Sequence, residues 1–257
     1  MTTYYHNKPA SIYFYGKMAY NYIDYDQRET YMKDDLQQYL RPTYFIDSDA
    51  SEVIDFARDA VDGKETSLEK GVALFYAVRD KIRYDPYKID LEKRDAFKAS
   101  VIISRGYGYC VAKAIVLTAV ARAAGIHSRL GFADVRNHLS TERLRQLMKT
   151  DTFIFHGYAE LFLEDCWLKA TPTFNLSLCD KFGVKPLDFD GRSDSLFHPY
   201  DREGKRHMEY IRDHGHFTDV PYERIITNFR KYYPAYFQTG GIAREDDFER
   251  EAAAEKR

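Results

Sequence analysis

The chain is poor in the residues that staple, span or steer a protein. It has three cysteines in 257 residues. That count is odd and makes a poor disulfide framework. Cys166 and Cys179 could pair, but in a reducing cytoplasm they are expected as free thiols packed like small hydrophobes. No apolar run approaches the roughly 20 residues of a membrane span. The opening MTTYYHNKPA has no basic segment followed by an apolar core, so no signal peptide is read. Excess charge is also missing. A net charge of −2 gives no nucleic-acid footprint and no electrostatic hold on a membrane. A cytoplasmic protein with neither partner is the expectation.

Aromatic residues are plentiful, with 22 Tyr and 17 Phe, and predict thick packing layers. Many of the tyrosines fall within residues 1–45, where no period is clear. Short strands and a helix near 30–40 are the reading there. Asp49 to Val61 reads as a helix with Val53, Ile54, Phe56, Ala57 and Ala60 on one face. A second helix starts at Thr66-Ser67-Leu68-Glu69 and carries the stripe Val72, Leu74, Phe75, Val78 and Ile82. An irregular segment with Pro86 follows. Residues 110–124 are apolar nearly all round, which predicts a buried helix stopped by Gly125. Residues 128–135 read as a strand and Thr141 to Met148 as a short helix. FIFHGYAELFLED, 153–165, and CWLKATPTF, 166–174, read as a hairpin.

Cys110 sits at the first turn of the buried helix. Unpartnered N–H groups and the helix dipole at that end stabilise a thiolate. Cys110 is therefore expected to react faster at pH 7 than Cys166 or Cys179. Gly106 and Gly108 let the backbone approach a ligand, and the Cys110 N–H can serve an oxyanion. On the hairpin, alternation puts His156, Tyr158, Glu160 and Phe162 on one face. The small residues near 157–159 face the other way and let a helix come close. A tight turn at Glu164-Asp165 would set Phe162 opposite Trp167, Glu160 opposite Lys169 and Tyr158 opposite Thr171. His156 is placed to act as a base.

Cys110 at a helix start, then RAAGIHSRLGF, HGYAEL and CWLKATPTFN, together with VRDKIRYDPY at 78–87, resemble the transglutaminase-like superfamily of papain-like cysteine enzymes, in its bacterial cytoplasmic branch. The resemblance covers about residues 65–180. It implies an α+β fold in which a buried helix bearing the cysteine packs on an antiparallel β-sheet. It also implies a Cys110–His156 pair that forms a thioester. Two departures stand out. Thr171 occupies the place of the aspartate that orients the histidine, and Tyr158 replaces a tryptophan. Thr171 can accept a hydrogen bond from the imidazole but brings no charge. Substitutes are Asn175, as in Cys-His-Asn sites, and Asp134 or Asn137 at the preceding strand exit. Asn137 and His138 are candidates to line the cleft, with Tyr109 and Tyr158 beside it.

Other motifs are weaker. His198, His207, His214 and His216 fit no zinc spacing. FDGRSDS, 189–195, lacks the ligands of a calcium loop. Gly106-Tyr107-Gly108 is no phosphate loop. No metal and no cofactor are expected. The tract 176–222 is read as an ordered cover beside the Cys110–His156 cleft, and 243–257 as a charged, solvated helical tail. One domain is expected, with 1–50 as an extension. The function so read is amide or ester hydrolysis, or transamidation, on a small-molecule or peptide acyl substrate. The alternatives are a binding protein that lost the chemistry and an amide-forming acyltransferase of small-molecule metabolism. No oligomeric state is read.

Overall fold

The computed structural model describes residues 36–88, 90–138, 140–197, 208–238 and 248–255. The reading of the tyrosine-rich start therefore lies largely outside the described residues. Two helices come first, α1 (Ser51–Ala60) and α2 (Ser67–Lys81). A full capping box starts α2. Thr66 accepts from the Glu69 N–H, and the Glu69 carboxylate accepts from the Thr66 N–H. Strand β1 (Arg83–Tyr84), a 3-10 turn (Arg94–Phe97), α3 (Ala99–Arg105) and β2 (Tyr107–Gly108) lead into α4 (Cys110–Ala123). The rest is β3 (Ser128–Asn137), α5 (Glu142–Met148), β4 (Thr152–Leu163), β5 (Cys166–Ala170), α6 (Leu176–Phe182), β6 (Met208–Phe217), α7 (Tyr222–Tyr232), α8 (Pro234–Gln238) and α9 (Phe248–Glu255).

The fold is α+β. A four-stranded antiparallel sheet runs in the order β5-β4-β3-β6. The cysteine-bearing helix α4 packs on it, and every residue from Cys110 to Arg122 is buried. Helix and sheet meet closely because Gly157 has no side chain: a Cβ there would lie 2.8 Å from the Val111 Cα. The expected hairpin forms in the expected register, with Phe162 opposite Trp167 and Glu160 opposite Lys169. Its turn residues Glu164 and Asp165 both have positive φ, as a two-residue turn that follows the strand twist requires.

Helix α4 is held at its start by the preceding chain. β2 pairs in parallel with β1, through Arg83↔Tyr107 and Tyr84↔Gly108. Lys113, one turn into α4, is wholly buried and donates to the Arg79 and Ile82 carbonyls at the end of α2, at 2.8 and 2.6 Å. It has no ion-pair partner among the described residues, and burial pushes its pKa down to about 7. Gly106 and Gly108 work differently from the ligand role expected of them. Gly106 ends α3 in the left-handed region, at φ 73°. A Cβ on Gly108 would meet the Ala112 Cβ at 2.5 Å, so this glycine makes room for α4.

Two later segments depart from expectation. Residues 208–217 form an edge strand rather than part of a cover. Within 188–195, Phe189 packs on Phe75 of α2 and Ser195 bridges to the β5 end. The terminal helix α9 is docked rather than solvated. Phe248 and Ala252 are buried, and Phe248 sits in an aromatic cluster with Tyr84, Tyr87 and Phe182. Glu249 binds Lys181, Asn175 and Ser177, and Glu251 accepts from the Tyr87 hydroxyl. Every third or fourth residue of this charged helix faces the core, so its composition hid the contact.

The contact at Gly157 gives a direct test. Gly157→Ala should destabilise the protein by about 1–3 kcal/mol, the usual cost of forcing a group into a packed core. Urea unfolding measures it. An unchanged midpoint would mean that α4 and β4 are not in backbone contact.

Candidate active site

Cys110 and His156 border one cavity of about 60 Å³. Its other walls come from Tyr84 and Pro86 after α2, Leu144 and Met148 of α5, Phe153 and Ile154 of β4, and Phe229 and Tyr233 at the end of α7. The lining is almost wholly apolar. The VRDKIRYDPY run serves as scaffold for this wall. Val78 and Ile82 enter the core, and Asp85 accepts the N–H groups of Tyr87 and Lys88. This turn carries Tyr84 and Pro86 to the cavity.

Burial sets the electrostatics. The Cys110 thiol is pushed from its ordinary 9.0 up to about 11 by loss of solvent. The backbone N–H groups of Gly157, Val111 and Cys110 itself pull the other way and are outweighed. The expectation of an acidified thiol is therefore reversed. Cys179, also buried, is likewise pushed up to about 11, whereas Cys166 is exposed. His156 is 4% exposed, and burial lowers it from 6.5 to about 3. Its Nε2 is buried with no hydrogen-bond partner among the described residues, and the Phe197 ring stands edge-on to it at 4.4 Å. Thiol and imidazole are both neutral at pH 7.

None of the candidates for a third member reaches the imidazole. The Thr171 hydroxyl is fully buried and has no hydrogen-bond partner among the described residues. Asn175 is committed elsewhere. Its Oδ1 accepts from the Tyr84 N–H at 3.0 Å, and its Nδ2 donates to Ser177 and Glu249. Asp134 accepts from the Phe155 N–H at 3.0 Å and pairs with His214 Nε2 at 2.7 Å. Asn137 lies in β3, where its N–H donates to the Asp151 carbonyl, and it does not line the cavity. His138 stands 3.4 Å from Glu209. Tyr158 shares the sheet face of His156 and packs with Ala133, Val135 and Met208. Tyr109 does line the cavity, at the position preceding α4.

Of the expected cover, Phe197 stands edge-on to the His156 ring. The far wall is α7 instead. The signal for it was in the sequence: Tyr222, Ile225, Ile226 and Phe229 are buried at helical spacing. Tyr233 was equally missed. Its hydroxyl accepts from the Ile154 N–H at 2.7 Å and donates to the Thr152 carbonyl at 2.9 Å. These bonds involve a β-bulge just before His156. Ala133 pairs with His156 and Val135 with Phe153, so Ile154 and Phe155 together face Asp134. Phe155 sits at φ 51°, a conformation costly for a bulky side chain.

Among the described residues, no group of three or more His, Cys, Asp or Glu side chains is arranged to hold a metal. Within the same residues no helix is long and apolar enough to cross a membrane. His198 and His207 lie outside the described residues.

No curated protein matches the chain. A candidate cysteine protease from Cytophaga hutchinsonii is similar at 19% identity and a TM-score of 0.41, over 54% of this chain and 42% of its own. A candidate protease from Parabacteroides distasonis is similar at 16% identity and a TM-score of 0.35, over 56% of this chain and 26% of its own. The chain thus spans less than half the length of either solved structure. The model of the transglutaminase-like superfamily matches residues 54–172, from α1 through the Cys110 helix and the His156 strand to Thr171-Pro172. Over these residues, which are less than half of the chain, the sequence is similar to that superfamily.

Proposed function

We propose that the protein carries out cysteine-dependent acyl chemistry on small substrates with a short apolar acyl group. One observation carries the reading: Cys110, at the start of α4, and His156 border the same small apolar cavity. An apolar cavity of roughly 150 Å³ holds a benzene ring. The cavity here is about 60 Å³, which suits a short aliphatic acyl chain.

In this account the resting pair is neutral, and the nucleophile forms only as it attacks. The Cys110 sulfur bonds to the acyl carbon while its proton passes to His156. The N–H of Cys110, at the positive end of the α4 dipole, is the donor for the developing oxyanion. The imidazolium then returns the proton to the leaving amine or alcohol as the old acyl bond breaks. Water or an amine resolves the thioester, giving hydrolysis or transfer. The apolar walls keep bulk water from the thioester.

A second reading has its own support. With Asp134 and Asn175 committed and Thr171 unpartnered, none of these three contacts the imidazole. A protein that binds apolar molecules without reacting with them fits that fact.

Acylation separates the two. With nitrophenyl acetate, butyrate or octanoate, intact mass spectrometry should show one acyl group on Cys110 from the two shorter esters. Cys110→Ala should abolish it. Absence of the adduct, or its persistence in Cys110→Ala, sinks the enzymatic reading. A polar alkylating agent such as iodoacetamide should choose exposed Cys166 before Cys110.

His156 also makes a pH prediction. The unfolded chain takes up a proton at His156 near pH 6.5, and the folded chain refuses it until about pH 3. Stability from this group is present above pH 6.5 and is lost as pH falls from there toward 3. Urea midpoints should therefore drop more between pH 7 and pH 4.5 in the wild type than in His156→Gln. Equal drops would show that His156 is not buried neutral.

A further inference from the structure

We infer that Asp134 and His214 form a positioning device for His156, which acts through the backbone of the strand that carries it. The inference rests on the proposed function for its catalytic meaning. A regular strand sends side chains three residues apart to opposite faces. Here Phe153 and His156 share one face, because they pair with Val135 and Ala133. The bulge at Ile154–Phe155 makes that possible, because it inserts one residue and resets the alternation just before His156.

Two side chains satisfy the bulge. The Ile154 N–H donates to the Tyr233 hydroxyl at 2.7 Å, and the Phe155 N–H donates to Asp134 Oδ1 at 3.0 Å. The same Asp134 oxygen takes His214 Nε2 at 2.7 Å. The His214 ring lies flat on the Phe155 ring, with centroids 4.2 Å apart and planes 7° from parallel. One imidazole thus holds both ends of a strained residue: its amide through Asp134, and its side chain by stacking. Phe155 needs such a hold, because at φ 51° an aromatic residue relaxes toward extended backbone unless its surroundings prevent it.

The opposite side of the sheet is shaped to match. On β6, Gly131↔His216 is followed by Ala133↔Asp213, so His214 and Gly215 together face Phe132, with Gly215 at φ 81°. A second bulge therefore presents His214 to the first across the central strand β3. The Arg224 guanidinium lies 3.5 Å from His214 Nδ1. A guanidinium only donates, so Nδ1 accepts and the proton on Nε2 goes to Asp134. The carboxylate expected at the imidazole is replaced by Thr171, and Asp134 acts one residue upstream instead.

A contrast at position 214 tests the device. Gln can reach Asp134 with an N–H where His does, and Asn is too short. Acylation of the full-length protein by nitrophenyl butyrate is followed by intact mass against ester concentration. His214→Asn and Asp134→Ala should lower the saturating rate about tenfold, a modest penalty for a misplaced catalytic group, with the half-saturating concentration unchanged. His214→Gln should stay near the wild type. The NMR resonance of the His156 imidazole should move in His214→Asn and hold in His214→Gln, whether or not the thiol reacts. If Asp134→Ala does not fold, the pair at 214 decides. Equal rates and an unmoved His156 resonance in both 214 variants would overturn the inference. A wild type that is never acylated, with the resonance behaving as expected, would overturn the proposed function and leave the positioning role standing.

Discussion

The contact of Val111 with Gly157 is the constraint on which the rest depends. With no side chain at 157, the first turn of α4 lies directly on β4. The Gly157 N–H then comes within hydrogen-bonding reach of the Cys110 sulfur. The same approach shuts both reactive groups away from water, at 7% exposure for Cys110 and 4% for His156. Aromatic and aliphatic side chains from α5, α7 and the turn after α2 complete the enclosure.

Two opposed effects act on the thiol, and their sizes decide the outcome. A helix terminus offers a nearby charge about 0.3–1 kcal/mol, and up to about 2 in favourable sites. One pKa unit corresponds to about 1.4 kcal/mol. The dipole can therefore lower Cys110 by about one unit, and burial raises it from 9.0 to about 11 even with three N–H groups opposing. Burial wins, and it wins again at His156. A neutral resting pair is the consequence, suited to substrates that bring their own electrophilicity into a dry cavity.

Much of the core was legible because its signals were local. The run Val111–Val120 announced a buried helix, and Glu160 and Phe162 found Lys169 and Trp167 because a two-residue turn fixes register. The small residue at 157 foretold close approach. The remainder depended on contacts remote in sequence. β6 gave no alternation because two register shifts interrupt its pairing with β3 and most of it faces outward. Asp134 and Asn175 looked available to the imidazole, yet each meets a partner far along the chain, His214 and Glu249. The helix-start argument for an acidic thiol was sound in direction, but the enclosure that outweighs it is built by residues as distant as Phe229 and Tyr233.

The neutrality of the pair is the centre of this account, and thiolate ultraviolet absorbance measures it most directly. The difference in absorbance between the wild type and Cys110→Ala should stay flat from pH 5 to pH 9. It should rise only as pH approaches the value of about 11 to which burial pushes the thiol. A step in that difference below pH 7, lost in His156→Gln, would show a thiolate–imidazolium pair and contradict the account.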